Sequence, residues 1–298
     1  MSEVTRSTPA GEAYLDLQRQ ARQNGRLTAE LFQLYALEGF LARLEASPAR
    51  DHFVLKGGVL LAAFGNRRPT RDIDLSGVDL NNDAATILNL IRSVLAIPLL
   101  EDDGLIYQAD SASAEVIREE DNYAGVRVSA TATLARARLT FHVDVSVGDP
   151  IYPEPGSVAV PRLRGGQPIT LTGYPMAMVH AEKIVTAVQR GTANTRWRDF
   201  GDIWTLSRHH PTTGVELHDA ITAVAAFRNA TLLPLDEVLD GYDTIGQAKW
   251  AQWRQKNACD WLPEQFGDVL GAVIAFAGPA LTGHVDGQNW DPRAARWG

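Results

Sequence analysis

The chain carries a single cysteine, Cys259, so no intramolecular disulfide can form and the fold must be held by packing alone. It has no apolar run near the ~18 residues a membrane helix needs. The N-terminal stretch MSEVTRSTPAGE is polar and has no apolar core of the kind a secretory signal carries. These absences lead us to expect a cytoplasmic protein with no membrane partner. There is no G-x-x-x-x-G-K-[ST], which excludes a P-loop, and no G-x-S-x-G, which excludes a serine-hydrolase elbow. His180, His209, His210 and His218 do not fall at metal-ligand spacings, and His209-His210 reads as a helix end. Basic residues are also in deficit: 28 Lys and Arg against 36 Asp and Glu give a net charge of -8. Proteins that coat nucleic acid by electrostatics are basic, so only a local basic cleft is compatible with this balance. Arginines do cluster, as Arg67, Arg68 and Arg71 and again as Arg190, Arg196 and Arg198.

What the chain does have is enough for one large or two ordinary domains: 298 residues, 45% apolar and 21% charged. Residues 10–24 and 27–47 read as amphipathic helices, the second with Thr28 as its cap. A strand over 52–56 leads to a helix over 58–65 and a strand over 70–76. A helix capped by Asn81 or Asn82 runs through Leu95, with Ile87, Leu88, Leu90, Ile91 and Val94 on its stripe. Strands are expected over 105–109, 124–134 and 138–147. The last alternates, with Phe141, Val143, Val145 and Val147 on one face and His142, Asp144 and Ser146 on the other. Two short extended segments flank Arg164-Gly165-Gly166 and end near Thr172. The pattern then turns helical, over 175–190, 196–209, 215–228, 242–257 and 262–277. The tail from Gly278 reads as loosely ordered. The domain boundary is placed at 173, giving 1–172 as an α/β domain with N-terminal helices and 173–298 as a helical domain.

The informative stretch is Leu55–Ser76, LKGGVLLAAFGNRRPTRDIDLS. A strand enters a Gly-Gly turn, an apolar helix follows, and Asp72 and Asp74 come next, two residues apart. Residues i and i+2 of a strand share a face, so both carboxylates aim one way while Ile73 and Leu75 turn to the core. Carboxylates that close raise each other's pKa, and a divalent cation resolves the conflict. That is the layout of a metal-dependent phosphoryl-transfer site. The plain alternative is a pair of solvated strand-edge aspartates. Asp144 alternates out of its own apolar strand and is a third carboxylate, either part of the site or an exposed residue on a half-buried strand. Gly57 and Gly58 bring backbone N–H groups to a helix start, where phosphate binds, or simply make a tight strand–helix turn. Lys56 before them is a phosphate contact or a surface lysine. Lys183 lies among Met176, Met178, Val179, Ile184, Val185 and Val188, and a lysine in that setting needs a counter-charge or must snorkel. Asp199 and Asp202 share a helix face at i, i+3; Arg198 and Asp199 can instead form a structural ion pair. The seven tryptophans all lie in the helical half, most as core, with one able to stack on a base.

The ordered set K-G-G, T-R-D-x-D, A-E-K and R-D-x-x-D resembles the AbiEii/AbiGii-type nucleotidyltransferase toxins, which include the MenT enzymes, within the DNA polymerase beta-like nucleotidyltransferase superfamily. The matching residues are Gly57-Gly58, Asp72 and Asp74, Ala181-Glu182-Lys183, and Asp199-Phe200-Gly201-Asp202. The likeness covers roughly residues 50–210, and the last third matches only in being helical. It implies an α/β (α+β) fold: a polymerase beta-like domain with a mixed sheet, then a helical C-terminal domain. It implies transfer of a nucleoside monophosphate from an NTP to an acceptor hydroxyl, with Mg²⁺ at a two-metal site on Asp72, Asp74 and Asp144, the last also serving as general base. It implies that Lys56, Gly57, Gly58, Lys183 and Asp199 bind the nucleotide, with Asp202 orienting Lys183 or holding the nucleoside. It makes Thr70 a candidate for regulatory phosphorylation, against an ordinary strand-start threonine. It implies a toxin neutralised by a cognate antitoxin protein. The implied acceptor is the 3′ end of tRNA, or, for AbiEii-type relatives, the setting is phage defence with GTP binding. Transfer onto a protein side chain and a non-catalytic nucleotide-binding regulator are the alternatives.

Overall fold

A computed structural model describes residues 3–119 and 123–298, so Met1 and Ser2 of the polar N-terminus lie outside the described residues. The chain forms two compact units: residues up to Gly148 with Gly156–Gly173, and Asp149–Pro155 with Tyr174–Gly298.

The first unit contains α1 (Pro9–Gln23), α2 (Thr28–Ala46), β1 (Phe53–Lys56), α3 (Gly57–Leu60), β2 (Asp72–Gly77), α4 (Ala84–Leu95), β3 (Leu105–Tyr107), β4 (Ser113–Glu119), β5 (Tyr123–Leu134), β6 (Ala137–Val147), β7 (Gly156–Val160) and β8 (Ile169–Gly173). Thr8 caps α1 by accepting from the Gly11 N–H, with Pro9 preset for the first turn. Helix α2 has no side-chain cap: Leu27 holds that position and Thr28 is already helical. Its buried set runs almost all round, from Leu31 to Leu44, as a helix enclosed on most sides requires. Asp83, and not Asn81 or Asn82, caps α4, its carboxylate accepting from the Thr86 N–H at 2.7 Å. The helix expected over 58–65 lasts only to Leu60. From Ala62 to Gly65 each N–H reaches the carbonyl three residues back, so the segment tightens into successive turns that end on Gly65 at a φ of +76°.

The sheet runs β3-β5-β6-β2-β1-β8-β7, with β4 also paired to β5. Two pairings are parallel, β2 with β6 and β1 with β8; the others are antiparallel. The mixed sheet of the implied fold is therefore present. Strand β4 is an addition that the irregular sequence SAEVIRE does not announce. Ile73, Leu75, Val126, Val128, Phe141, Val143 and Val145 are buried on one face, and α2 packs against β6. The opposite face is polar in its centre.

The second unit contains α5 (Met176–Arg190), α6 (Trp197–His209), β9 (Thr212–Thr213), α7 (Gly214–Phe227), α8 (Leu235–Val238), α9 (Tyr242–Lys256), α10 (Phe266–Leu281), β10 (Asn289–Asp291) and β11 (Arg296–Trp297). Its core is aromatic. Trp197, Phe200, Tyr242 and Trp250 gather round Phe266 with ring centroids 5.1–5.6 Å from it. The tail expected to be loose is folded. Helix α10 continues to Leu281, and β10 pairs with both β11 and β9. Trp290 is buried against Phe276 and donates its indole N–H to the Ser207 carbonyl, while Trp297 stacks on Phe276 and donates to that residue's carbonyl. Strands of two or three residues have no readable period, so only these tryptophans signal the docking.

Two predictions concern this architecture. Glu38 of α2 is 5% exposed, accepts from the Leu163 N–H at 2.7 Å, and has its carboxyl pushed up to about 6 by burial. A raised carboxyl pKa means that the folded state holds the proton more tightly than the unfolded chain. Stability from this group is therefore present below the ordinary pKa of 4.5 and is lost as pH rises through about 6. Glu38→Gln should abolish that component, worth about 2 kcal/mol, in urea unfolding compared between pH 4.5 and 7; parallel wild-type and variant curves would refute it. Trp290→Ala should lower unfolding stability by about 3–5 kcal/mol, and an unchanged midpoint would mean that the tail does not contribute to the core.

Candidate active site

The polar face of the sheet is built by alternation. Ile73 and Leu75 are fully buried, so Asp72 and Asp74 project to the other side of β2. The cross-strand register then sets their neighbours. Asp74 lies opposite Lys56 on β1 and opposite Asp144 on β6; Asp144 lies opposite Arg127 on β5, and Arg127 opposite Glu115 on β4. A single row across five strands thus reads Lys56, Asp74, Asp144, Arg127, Glu115. In the adjoining row Asp72 lies opposite His142, and His142 opposite Ser129, whose hydroxyl is 3.0 Å from the imidazole Nδ1.

These neighbours govern the charges. Burial is the main force on Asp74 and pushes its carboxyl up to about 6. Lys56 and a hydrogen bond from the Gly58 N–H pull it down, while Asp144 and Asp72 push it further up. Asp144 is held by Arg127 in a two-point pair, Nε to Oδ1 at 2.8 Å and NH2 to Oδ2 at 2.7 Å. That hydrogen bonding raises the guanidinium pKa still further.

The Gly-Gly turn is explained by the same carboxylate. Gly57 has a φ of +66°, and a Cβ on it would lie 1.9 Å from Asp74 Oδ2. A Cβ on Gly58 would lie 2.7 Å from Thr70 Oγ1. Backbone and carboxylate therefore approach as closely as glycine allows. Thr70 is buried behind the turn, its hydroxyl directed at the Arg68 carbonyl at 3.4 Å, whereas Arg71 is exposed.

In the second unit, Lys183 of α5 donates to Asp199 Oδ1 at 2.9 Å and Asp202 Oδ2 at 3.0 Å, both carried on α6. Asp202 and Asp199 are buried. Arg196 Nε lies 3.0 Å from Asp199 Oδ2, which makes Arg196 a structural partner of Asp199. The helix-face reading of Asp199 and Asp202 thus leads to a shared lysine.

Among the described residues, no three His, Cys, Asp or Glu side chains are grouped as a metal site. Asp72 and Asp74 nonetheless suit a hard divalent cation: they offer carboxylate oxygen only, from one strand face, where negative charge is in excess. Asp144 has the register to join them, but both of its oxygens face Arg127. Sequence reasoning missed Arg127, although the alternation Val126-Arg127-Val128 within a strand was a usable signal. It also left His142 and Ser129 without a place beside the aspartates.

A second glycine, Gly25, serves as an internal control for the packing of Asp74 on the turn. Gly25 has a similar φ, +62°, but open space around it. Gly57→Ala and Gly25→Ala share the backbone penalty of about 1 kcal/mol. Only Gly57→Ala also displaces Asp74, so its loss in a denaturant titration should be larger by at least ~1 kcal/mol. Equal losses would mean that Asp74 does not pack against the turn.

The family model described as "Nucleotidyl transferase AbiEii toxin, Type IV TA system" matches residues 39–266. No curated protein matches the chain. Two solved structures from Helicobacter pylori, one described as a proposed nucleotidyltransferase and the other as JHP933, are each 16% identical with a TM-score of 0.49. They cover 86% and 87% of this chain and 97% and 95% of their own. The family match spans most of the chain, including β1, the Gly-Gly turn, both aspartates of β2 and the Lys183 pair, and the protein belongs to the AbiEii nucleotidyltransferase toxin family of type IV toxin–antitoxin systems.

Proposed function

We propose that this nucleotidyltransferase moves a nucleoside monophosphate from an NTP to the 3′-terminal hydroxyl of tRNA, using Mg²⁺ held by Asp72 and Asp74. The observation that carries the reading is the row in which Asp74 lies between Lys56 and Asp144 while pressed against Gly57. It gathers carboxylates, a cation and bare backbone on one face. The acceptor oxygen attacks the α-phosphorus, the bond from that phosphorus to the α–β bridging oxygen breaks, and pyrophosphate leaves with the electron pair. The hydroxyl proton passes to a carboxylate oxygen of Asp144. Bound Mg²⁺ would supply charge neutralisation at the phosphates and a more acidic acceptor hydroxyl. Catalysis is then mostly positioning and electrostatics.

Lys56 and the Gly57–Gly58 backbone are the first unit's proposed contacts to the triphosphate. Lys183 is the proposed phosphate-binding cation of the second unit, oriented by Asp202, with Asp199 toward the nucleotide. Blocking the tRNA end would halt aminoacylation and translation, and an antitoxin would restrain it. Thr70 is a proposed point of such control. Because its hydroxyl is buried against Gly58, a phosphoryl group there would lie against the turn and would be added only after local opening. The acidic net charge of -8 favours a protein acceptor as the second reading.

The test is incubation of the purified chain with Mg²⁺, each α-labelled NTP in turn, total bacterial RNA and cell extract. Label should enter tRNA-sized RNA, and Asp72→Ala or Asp74→Ala should reduce it by at least ~10³-fold. Label on a protein band would replace the tRNA reading by the second. Absence of label with every NTP, alongside tight Mg²⁺–NTP binding, would identify a nucleotide-binding regulator. Induced in cells, the wild type should arrest growth and Asp72→Ala should not; harmless wild-type induction would contradict toxicity.

A further inference from the structure

The pair between Arg127 and Asp144 poses a chemical question that the proposed reaction leaves open. A carboxylate that gives both oxygens to a guanidinium has none to offer a cation. The pair is not sealed in the core, since the Arg127 side chain is 33% exposed and that of Asp144 17%. Arg127 can therefore move, provided that its charge has somewhere to go. The next residue in the row supplies the place. Glu115 on β4 faces Arg127 in register on the side away from Asp144, is exposed, and already acts on the guanidinium electrostatically, as does Asp72. Arg127 thus stands between two carboxylates on flanking strands, bonded to one and adjacent to the other.

We propose that Arg127 is a two-position latch on Asp144: it pairs with Asp144 when no cation is bound, and passes to Glu115 when Asp144 turns its oxygens to a divalent cation. The inference rests on the reading of Asp144 as a cation ligand. In the closed position the latch supplies the counter-charge that keeps Asp144 beside Asp74 without metal. In the open position Glu115 receives the guanidinium, so no charge is stranded on the sheet face. Arg127 is a positioning residue: it acts through Asp144. The arrangement makes the third carboxylate conditional on the ligand, since a cation must compete with a guanidinium for Asp144 before the site is complete.

The experiment titrates Mn²⁺, read by electron spin resonance, into the full chain without nucleotide. The variants are Arg127→Gln, Arg127→Lys, Glu115→Gln and Asp74→Asn. Removing the competitor in Arg127→Gln should tighten Mn²⁺ on the order of tenfold, with Arg127→Lys between it and wild type. Removing the alternative partner in Glu115→Gln should weaken Mn²⁺ about threefold. A guanidinium that merely braces the sheet would leave Mn²⁺ affinity unchanged or lower in Arg127→Gln, and that result overturns the latch. Glu115 is exposed, so its variant decides the matter alone should Arg127→Gln fail to fold; wild-type affinity in Glu115→Gln then refutes the proposal. The underlying reading fails separately. If Asp74→Asn binds Mn²⁺ as the wild type does, the metal site itself is misassigned and the latch falls with it. Binding lost in Asp74→Asn but unmoved by Arg127→Gln and Glu115→Gln overturns the latch alone.

Discussion

Asp74 and Asp144 face each other across the parallel pair β2–β6, and their repulsion is the constraint that the polar face of the sheet is built to satisfy. Asp144 and Asp72 both push the Asp74 carboxyl upward, adding to the larger effect of burial. The chain answers from both sides. Lys56 flanks Asp74 on β1, and Arg127 flanks Asp144 on β5. The two acids differ in how they are answered. Asp144 has a bidentate partner. Asp74 has Lys56 across from it on β1 and the Gly58 N–H, and burial still raises its carboxyl to about 6. Asp74 is also the acid against which Gly57 brings the bare backbone.

The second unit solves a related problem with the signs reversed. Lys183 rises from an apolar helix face and would be costly alone. Asp199 and Asp202 meet it, and Arg196 adds a second cation beside Asp199. Breaking one member of such a partly buried set leaves the others uncompensated. Charge in this protein is placed in sets that close locally.

Much of this was legible in the sequence, and the reasons for the gaps are physical. Alternation in D-I-D-L and F-H-V-D-V assigned Asp72, Asp74 and Asp144 to polar strand faces before any contact was known. The i, i+3 spacing placed Asp199 and Asp202 on one helix face, and the family resemblance pointed from Asp202 to Lys183; that Asp199 shares this lysine was not legible. Pairing partners were not legible, because register between β6 and β5 is a tertiary fact; Arg127 was passed over even though a charge alternating with Val126 and Val128 marks a polar face. The shortened helix after Gly57 was invisible because G-V-L-L-A-A-F fits an α-helix and a run of tighter turns equally well. The tail was misread for a related reason: a Gly- and Pro-rich composition describes local freedom, whereas Trp290 and Trp297 are fixed by Phe276 on a distant turn of the same unit. Composition reports what a segment does when left alone, and a buried indole overrides it.

The parallel pairing at the centre explains why the face holds together as a unit. In a parallel ladder both strands advance in the same direction, so a shared alternation stays in step along its length. Asp72 meets His142, Asp74 meets Asp144 and Ser76 meets Ser146, while Ile73 and Leu75 meet Val143 and Val145. A slip of one residue would turn Asp144 toward the core and expose Val143 or Val145. The fully buried Phe141, Val143 and Ile73 oppose that slip directly. The hydrophobic face therefore enforces the spacing of the carboxylates on the other side, at no cost to the site in extra contacts. The same lock fixes Arg127 opposite Asp144, since β5 pairs with β6 through Val126 and Val128, themselves fully buried. Core packing thus sets which charges meet, and the choice of charged residue at each fixed address sets what the face can hold.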